Sequence, residues 1–204
     1  MAALRRYEGG QDLIPSALSP EPPAFSAEVR AKGAAYLRTN PTPTSKQFGK
    51  HAYWKASLPW LKVSYGNICA FSSFWIPGQC SVDHYEPKTV RPDLAYEWSN
   101  YRLAMDRINN NKGESTRVLD PFQVQRGWFA LDLATLYVRP GDGVVDPIRA
   151  QVEETISILR LNDDVWVDIR FELLREFLDG NVSLEFLRRR YPFIADEIAR
   201  QTSA

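Results

Sequence analysis

Only two cysteines, Cys69 and Cys80, and two histidines, His51 and His84, stand in this chain of 204 residues. Two cysteines cannot make the disulfide framework that holds small secreted domains together, so a reducing, cytoplasmic setting is expected. No apolar run approaches the ~18 residues that a bilayer crossing requires, so no membrane partner is expected. The start Met1-Ala2-Ala3-Leu4-Arg5-Arg6 leads into Tyr7-Glu8-Gly9-Gly10 rather than into the apolar centre of a signal peptide. An excess of one charge is missing too, since 25 Lys+Arg meet 25 Asp+Glu. Coating nucleic acid by bulk electrostatics takes a Lys or Arg for each phosphate, so any nucleic-acid contact should be local.

What is present is a globular composition, with 44% hydrophobic residues and 14 Pro and 11 Gly in no fixed period, which excludes disorder and collagen as overall descriptions. The length suits one domain with extensions or two small domains. Charge is uneven along it: residues 1–62 carry +5, 63–162 carry −2 and 163–204 carry −3. The basic N-terminal arm reads either as a phosphate-contacting strap or as a solvated face. Three regions are expected: an N-terminal extension over 1–50, a core over 51–140 and a helical region over 141–204.

Four prolines between Ile14 and Phe25 predict an extended tether. Residues 26–37 predict a short helix capped by Ser26, weakened by Gly33 and stopped by Asn40-Pro41-Thr42-Pro43. From Tyr53 to Trp75 the aromatic text predicts short strands and turns packing Trp54, Trp60, Tyr65, Phe71, Phe74 and Trp75, with base stacking beside Lys55 and Lys62 as the alternative. Ser81 to Tyr85 predicts a strand ended by Pro87, and Leu103, Ile108 and three asparagines predict a short helix closing in a polar turn. Residues 128–138 read as a hairpin, Pro140-Gly141-Asp142-Gly143 as a turn, and the remainder as helices with Gly180-Asn181 as a C-cap. The fold class is therefore α+β.

His84 follows Asp83 directly. Neighbouring strand residues face opposite sides, so the two share a site only if the chain turns there, which Tyr85-Glu86-Pro87 permits. Asn100 and Asn109 follow at intervals of sixteen and nine residues. Phosphodiester hydrolysis needs a base for water, a hard divalent cation and oxygen ligands to hold it. Asp83 and Asn109 offer oxygens suited to Mg2+ or Mn2+ more than to zinc, and an imidazole with an ordinary pKa near ~6.5 is a base at neutral pH. A zinc site from Cys69, Cys80 and His84 lacks a fourth ligand and would withdraw His84 from catalysis.

Cys69-Ala70-Phe71-Ser72, the segment 82–114 (VDHYEPKTVRPDLAYEWSNYRLAMDRINNNKGE), Leu119-Asp120-Pro121 and 154–170 (ETISILRLNDDVWVDIR) together resemble the HNH, or His-Me finger, endonucleases. They are closest to an anti-phage subgroup with DHF-x-PK, a downstream W-x-N and a C-x-x-C-N-x-x-K-G ending. The resemblance spans roughly 65–175. It implies a ββα-metal finger core with flanking aromatic-rich strands and a helical C-terminal region. It also implies a metal-dependent endonuclease that acts on DNA with an ATPase protein partner in anti-phage defence. By the resemblance His84 is the general base, Asp83 and Asn109 hold Mg2+ or Mn2+, and Asn100 fixes the loop that aims His84. Lys88, Arg91 and Lys112 are phosphate contacts. Where that subgroup has four zinc cysteines this chain has Cys69, Ser72, Met105 and Ile108, so no structural zinc is expected and apolar packing should staple the finger. A catalytically silent interaction module that binds a protein or nucleic acid is the rival reading.

Overall fold

The computed structural model describes residues 18–202 and is a mixture of helices and short strands. It is an α+β structure, as its patterning implies. The stretch 14–17 of the expected tether lies outside the described residues.

Ser26–Arg30 forms a π-helical turn that runs into α1, Ala31–Thr39. Ser26 makes no cap; Phe25 precedes the helix, buried and itself helical in backbone. Gly33 is in this helix because a Cβ there would stand 2.0 Å from Cγ of Tyr96. After Pro41 and Pro43 the chain enters α2, Ser45–Lys50, through a capping box in which Thr44 and Gln47 satisfy each other's backbone.

The aromatic stretch that reads as strands is largely helical instead: a 3-10 turn, Tyr53–Ser57, continues into α3, Leu58–Ser64, with Pro59 in its first turn. Trp54, Ser57, Leu61 and Tyr65 are the buried set. Their spacing of three and four residues is a helical period, which overrides the strand preference of aromatic side chains. Only an isolated bridge between Ile68 and Trp75 remains of the expected flanking strands.

The centre of the fold is an antiparallel pair followed at once by a helix. β1, Cys80–His84, pairs with β2, Tyr101–Met105, with Asp83 opposite Arg102 and His84 opposite Tyr101. α4, Asp106–Lys112, packs on both strands. Asp106 in its first turn suits the helix dipole. Gly113 ends it at φ +55° and ψ −127°, a conformation that L side chains avoid. The asparagine run thus lies inside the helix rather than in the turn beyond it. The sixteen residues between β1 and β2 carry two 3-10 turns, Pro92–Leu94 and Trp98–Asn100.

A small second pair, β3, Phe129–Leu131, and β4, Val138–Pro140, precedes α5, Ile148–Leu159, α6, Asp164–Leu178, α7, Leu184–Arg190, and α8, Pro192–Thr202. Val152 and Leu159 of α5 are buried as their spacing implies. In α6 the buried side chains are Trp166 and Arg170, while Val165 is partly exposed. Gly180 sits at φ +76°, as its C-cap role requires. Phe25, Val29 and Phe48 from the N-terminal 50 residues share one core with Trp54, Trp98, Tyr101, Val152 and Ile194.

The positions where the resembled subgroup carries zinc cysteines meet in this core. Cys69 is fully buried and its Sγ accepts the Met105 N–H at 3.4 Å, while Ile108 is also fully buried. Both cysteines are free.

Candidate functional site

Between β1 and α4 lies a cleft of about 370 Å³, lined by Trp54, Asp83, His84, Lys88, Asn109 and Glu114 among others. The neighbours Asp83 and His84 therefore border one space with Asn109, twenty-five residues further along the chain. Asn100 stands behind it. Lys88 is at the cleft, Arg91 is not among its lining residues, and Lys112 is turned away from it.

His84 ends β1 with its ring buried between aromatic edges. The Trp54 and Tyr101 centroids lie 4.8 Å and 5.2 Å from it, both rings nearly perpendicular to the imidazole. Its Nε2 is 2.8 Å from the Ala95 carbonyl oxygen. A carbonyl only accepts, so Nε2 carries the proton and Nδ1 keeps its lone pair. Nδ1 has no hydrogen-bond partner among the described residues. Burial, with the Lys88 charge second, pushes the imidazole down to about 3, so the ring is neutral at physiological pH.

The loop that supplies the Ala95 carbonyl is held by Asn100. Its Oδ1 accepts the Glu86 N–H at 2.8 Å, and its Nδ2 donates to the carbonyls of Glu86 and Leu94 at 3.0 and 3.1 Å. One buried amide so ties both sides of the loop, directly ahead of Ala95. The far side is anchored by Arg102, whose guanidinium makes a two-point pair with Asp120 at 2.9 and 2.8 Å and lies 3.9 Å from the Phe122 ring centroid. Arg102, like Trp54, has no place in the motif reading. Arg102 is signalled only by its position opposite Asp83 once the register is known, and Trp54 by nothing local, being thirty residues upstream.

Asp83 is buried, with Oδ1 3.1 Å from the Lys112 ammonium. Its Oδ2 is buried without a hydrogen-bond partner among the described residues. Burial pushes this carboxyl above the usual carboxylate range, against the pull of Lys112 and Arg102. Asn109, half-buried in α4, donates from Nδ2 to Ser81 Oγ at 2.9 Å, which leaves its side-chain oxygen uncommitted. Ser81 precedes Asp83 by two residues and so shares its strand face. Among the described residues no three His, Cys, Asp or Glu side chains are grouped to hold a metal ion. Mg2+ fits what is present, because it is commonly held by one or two protein oxygens and completes its shell with water and substrate phosphate. The orphaned Oδ2 is the oxygen such a cation would satisfy. Structural zinc fits poorly, since the one buried thiol is committed to the Met105 N–H.

One expected phosphate contact is corrected. Lys112 has a side chain with no exposure, and its ammonium donates to Asp83 Oδ1, His84 O at 2.9 Å and Tyr85 O at 3.0 Å. Three donors meet three acceptors, so none is free for a phosphate. Arg91 is exposed and paired with Asp93 at 2.6 Å, outside the cleft lining. Lys88 does border the cleft, its ammonium 5.6 Å from the Trp54 ring centroid and its pKa lowered by burial. No protein-family model matches this chain, and no curated protein does.

Proposed function

We propose that this protein is an HNH-type endonuclease that hydrolyses DNA phosphodiester bonds with Mg2+ or Mn2+, and that β1, β2 and α4 are its ββα-metal core. The observation that carries this reading is one hydrogen bond: the Ala95 carbonyl takes the Nε2 proton of His84 and leaves Nδ1 basic at a cleft shared with Asp83 and Asn109.

Asp83, through Oδ2, and Asn109, through its uncommitted oxygen, would hold the cation. When bound, that cation supplies positive charge against the pentavalent phosphate and the leaving oxygen. His84 takes the proton of the attacking water at Nδ1. A ring with so low a pKa holds that proton weakly, but the anionic phosphate at the cleft raises it and the Ala95 carbonyl stabilises the imidazolium through Nε2–H. Trp54 and Tyr101 confine the ring to one plane, and Asn100 keeps the carbonyl in place. Lys88 contacts phosphate at the cleft mouth. An ATPase partner and an anti-phage role belong to the same proposal.

A silent interaction module is favoured by one specific feature, the Lys112 ammonium already paired with Asp83. The two readings separate on supercoiled plasmid in Mg2+ or Mn2+. The nuclease nicks it and its His84→Ala variant, folded alike by circular dichroism, does not. A wild type that binds Mn2+ and leaves plasmid intact, alone and with a co-purified partner, belongs to the module.

A further inference from the structure

We propose that Lys112 is a positioning residue, an internal latch that fixes the bend after His84 and, by taking one oxygen of the Asp83 carboxylate, presents the other to the divalent cation. The inference rests on the metal-dependent reading above and assigns that site a part beyond its ligands and base.

The three acceptors of the Lys112 ammonium belong to three successive residues: the side chain of Asp83 and the carbonyls of His84 and Tyr85, at 3.1, 2.9 and 3.0 Å. In a regular strand, successive backbone groups alternate in direction. One ammonium that reaches two consecutive carbonyls therefore marks a bend at Tyr85, just past the end of β1. Asp83 and His84, the last two paired residues of β1, border the cleft immediately before it. The latch also divides the carboxylate: Oδ1 is taken and Oδ2 is left without a partner.

A surface lysine of the same helix would serve phosphate binding; this one cannot. Its side chain is wholly buried, its three donors are spent, and it occupies the last turn of α4, just before Gly113 ends the helix. A cation buried at such cost is held by excellent geometry or not at all. The Tyr85 ring, 5.9 Å from the ammonium, covers it further. The helix that carries Asn109 thereby carries the residue that orients Asp83, so both cation ligands move with α4.

The test measures Mn2+ affinity by titration calorimetry on wild type, Lys112→Met, Asp83→Asn and the double variant, each shown to be folded by near-ultraviolet circular dichroism. The latch predicts that Lys112→Met weakens Mn2+ binding at least tenfold while the tertiary spectrum stays native. It predicts no further weakening when Lys112→Met is added to Asp83→Asn, because Lys112 acts through Asp83. If the single Lys112→Met chain does not fold, the double variant, which leaves no unpaired buried charge, is read against Asp83→Asn in its place. Folded Lys112→Met with unchanged or tighter Mn2+ binding would overturn the latch, as would a double variant that loses as much again. Absence of Mn2+ binding by the wild type would overturn the metal reading itself, and the latch with it.

Discussion

At His84 a single backbone carbonyl decides which ring nitrogen is available for chemistry. The Ala95 oxygen that receives Nε2–H also accepts the Tyr101 hydroxyl at 3.0 Å, and Asn100 holds the neighbouring Leu94 carbonyl, so the tautomer of His84 rests on a loop tied by an amide sixteen residues away. Asn100→Ala strands the Glu86 N–H and two carbonyls in a buried loop, a loss of about 1–3 kcal/mol. Urea denaturation should show that loss, and plasmid nicking should fall with it; an unchanged midpoint would mean that the loop stands without Asn100. The low pKa of His84 has its own signature. Below pH ~6.5 the unfolded chain protonates this ring and the folded chain does not, so stability falls with falling pH by up to ~1.4 kcal/mol per unit until about pH 3. Asp83, raised by burial, contributes the opposite slope as its folded form takes up a proton. The difference between wild type and His84→Asn in urea, followed from pH 7.5 to 5, isolates the histidine: the gap should shift by this slope below ~6.5 and stay flat above it. Asp83, His84 and Asn109 stand out in the sequence by residue type and border one cleft in the structure, whereas Asn100 is singled out by the resemblance and stands outside the cleft lining. The role of Lys112 is not legible there, because a motif names a lysine without saying whether its ammonium is wet or buried.

At the scale of elements, glycine and aromatic residues carry the instructive differences. Gly33 reads as a flaw in α1, yet the space over it is filled by the Tyr96 ring, which packs in turn on Phe48, Trp54 and Tyr53. Gly→Ala within a helix ordinarily stabilises by about 0.5–1 kcal/mol. Here the clash reverses the sign, and Gly33→Ala should destabilise by about 1–3 kcal/mol, read from the thermal midpoint; a raised midpoint would show that Tyr96 moves aside freely. The region 53–64 reads as strand by composition, because aromatic side chains favour sheets, while the helical spacing of Trp54, Leu61 and Tyr65 carries the better signal. β1 and α5 are legible from their own periodicity, whereas α6 is legible as a helix but buries Trp166 and Arg170 while Val165 is exposed. β2 was absorbed into the helix after it, because five residues of strand flow into α4 without a glycine or proline between them.

For the whole molecule, the decisive feature is that the expected N-terminal extension is built into the core. Phe25 makes edge contacts with Trp60, Trp98 and Tyr101 at centroid distances of 6.5, 5.5 and 5.8 Å, and Tyr101 in turn borders His84. The contact connects the tether to His84 through two rings. A chain beginning at residue 51 loses Phe25, Val29 and Phe48, all fully buried, and should not show the single cooperative unfolding transition expected of the full chain. Calorimetry of the two chains checks this, and a sharp native-like transition in the truncated chain would make 1–50 a separable appendage. Such long-range packing was not legible, since no local pattern records which distant ring a side chain will meet.

The central claim is that His84 is the base of a metal-dependent nuclease, and it is tested most directly by restoring that base from solution. Supercoiled plasmid is incubated in Mg2+ or Mn2+ with wild type, with His84→Ala, and with His84→Ala in the presence of imidazole. The account predicts nicking by the wild type, its loss in the variant, and partial recovery when imidazole enters the space between Trp54 and Tyr101. Equal nicking by wild type and His84→Ala, or none by a wild type that binds Mn2+, would contradict it.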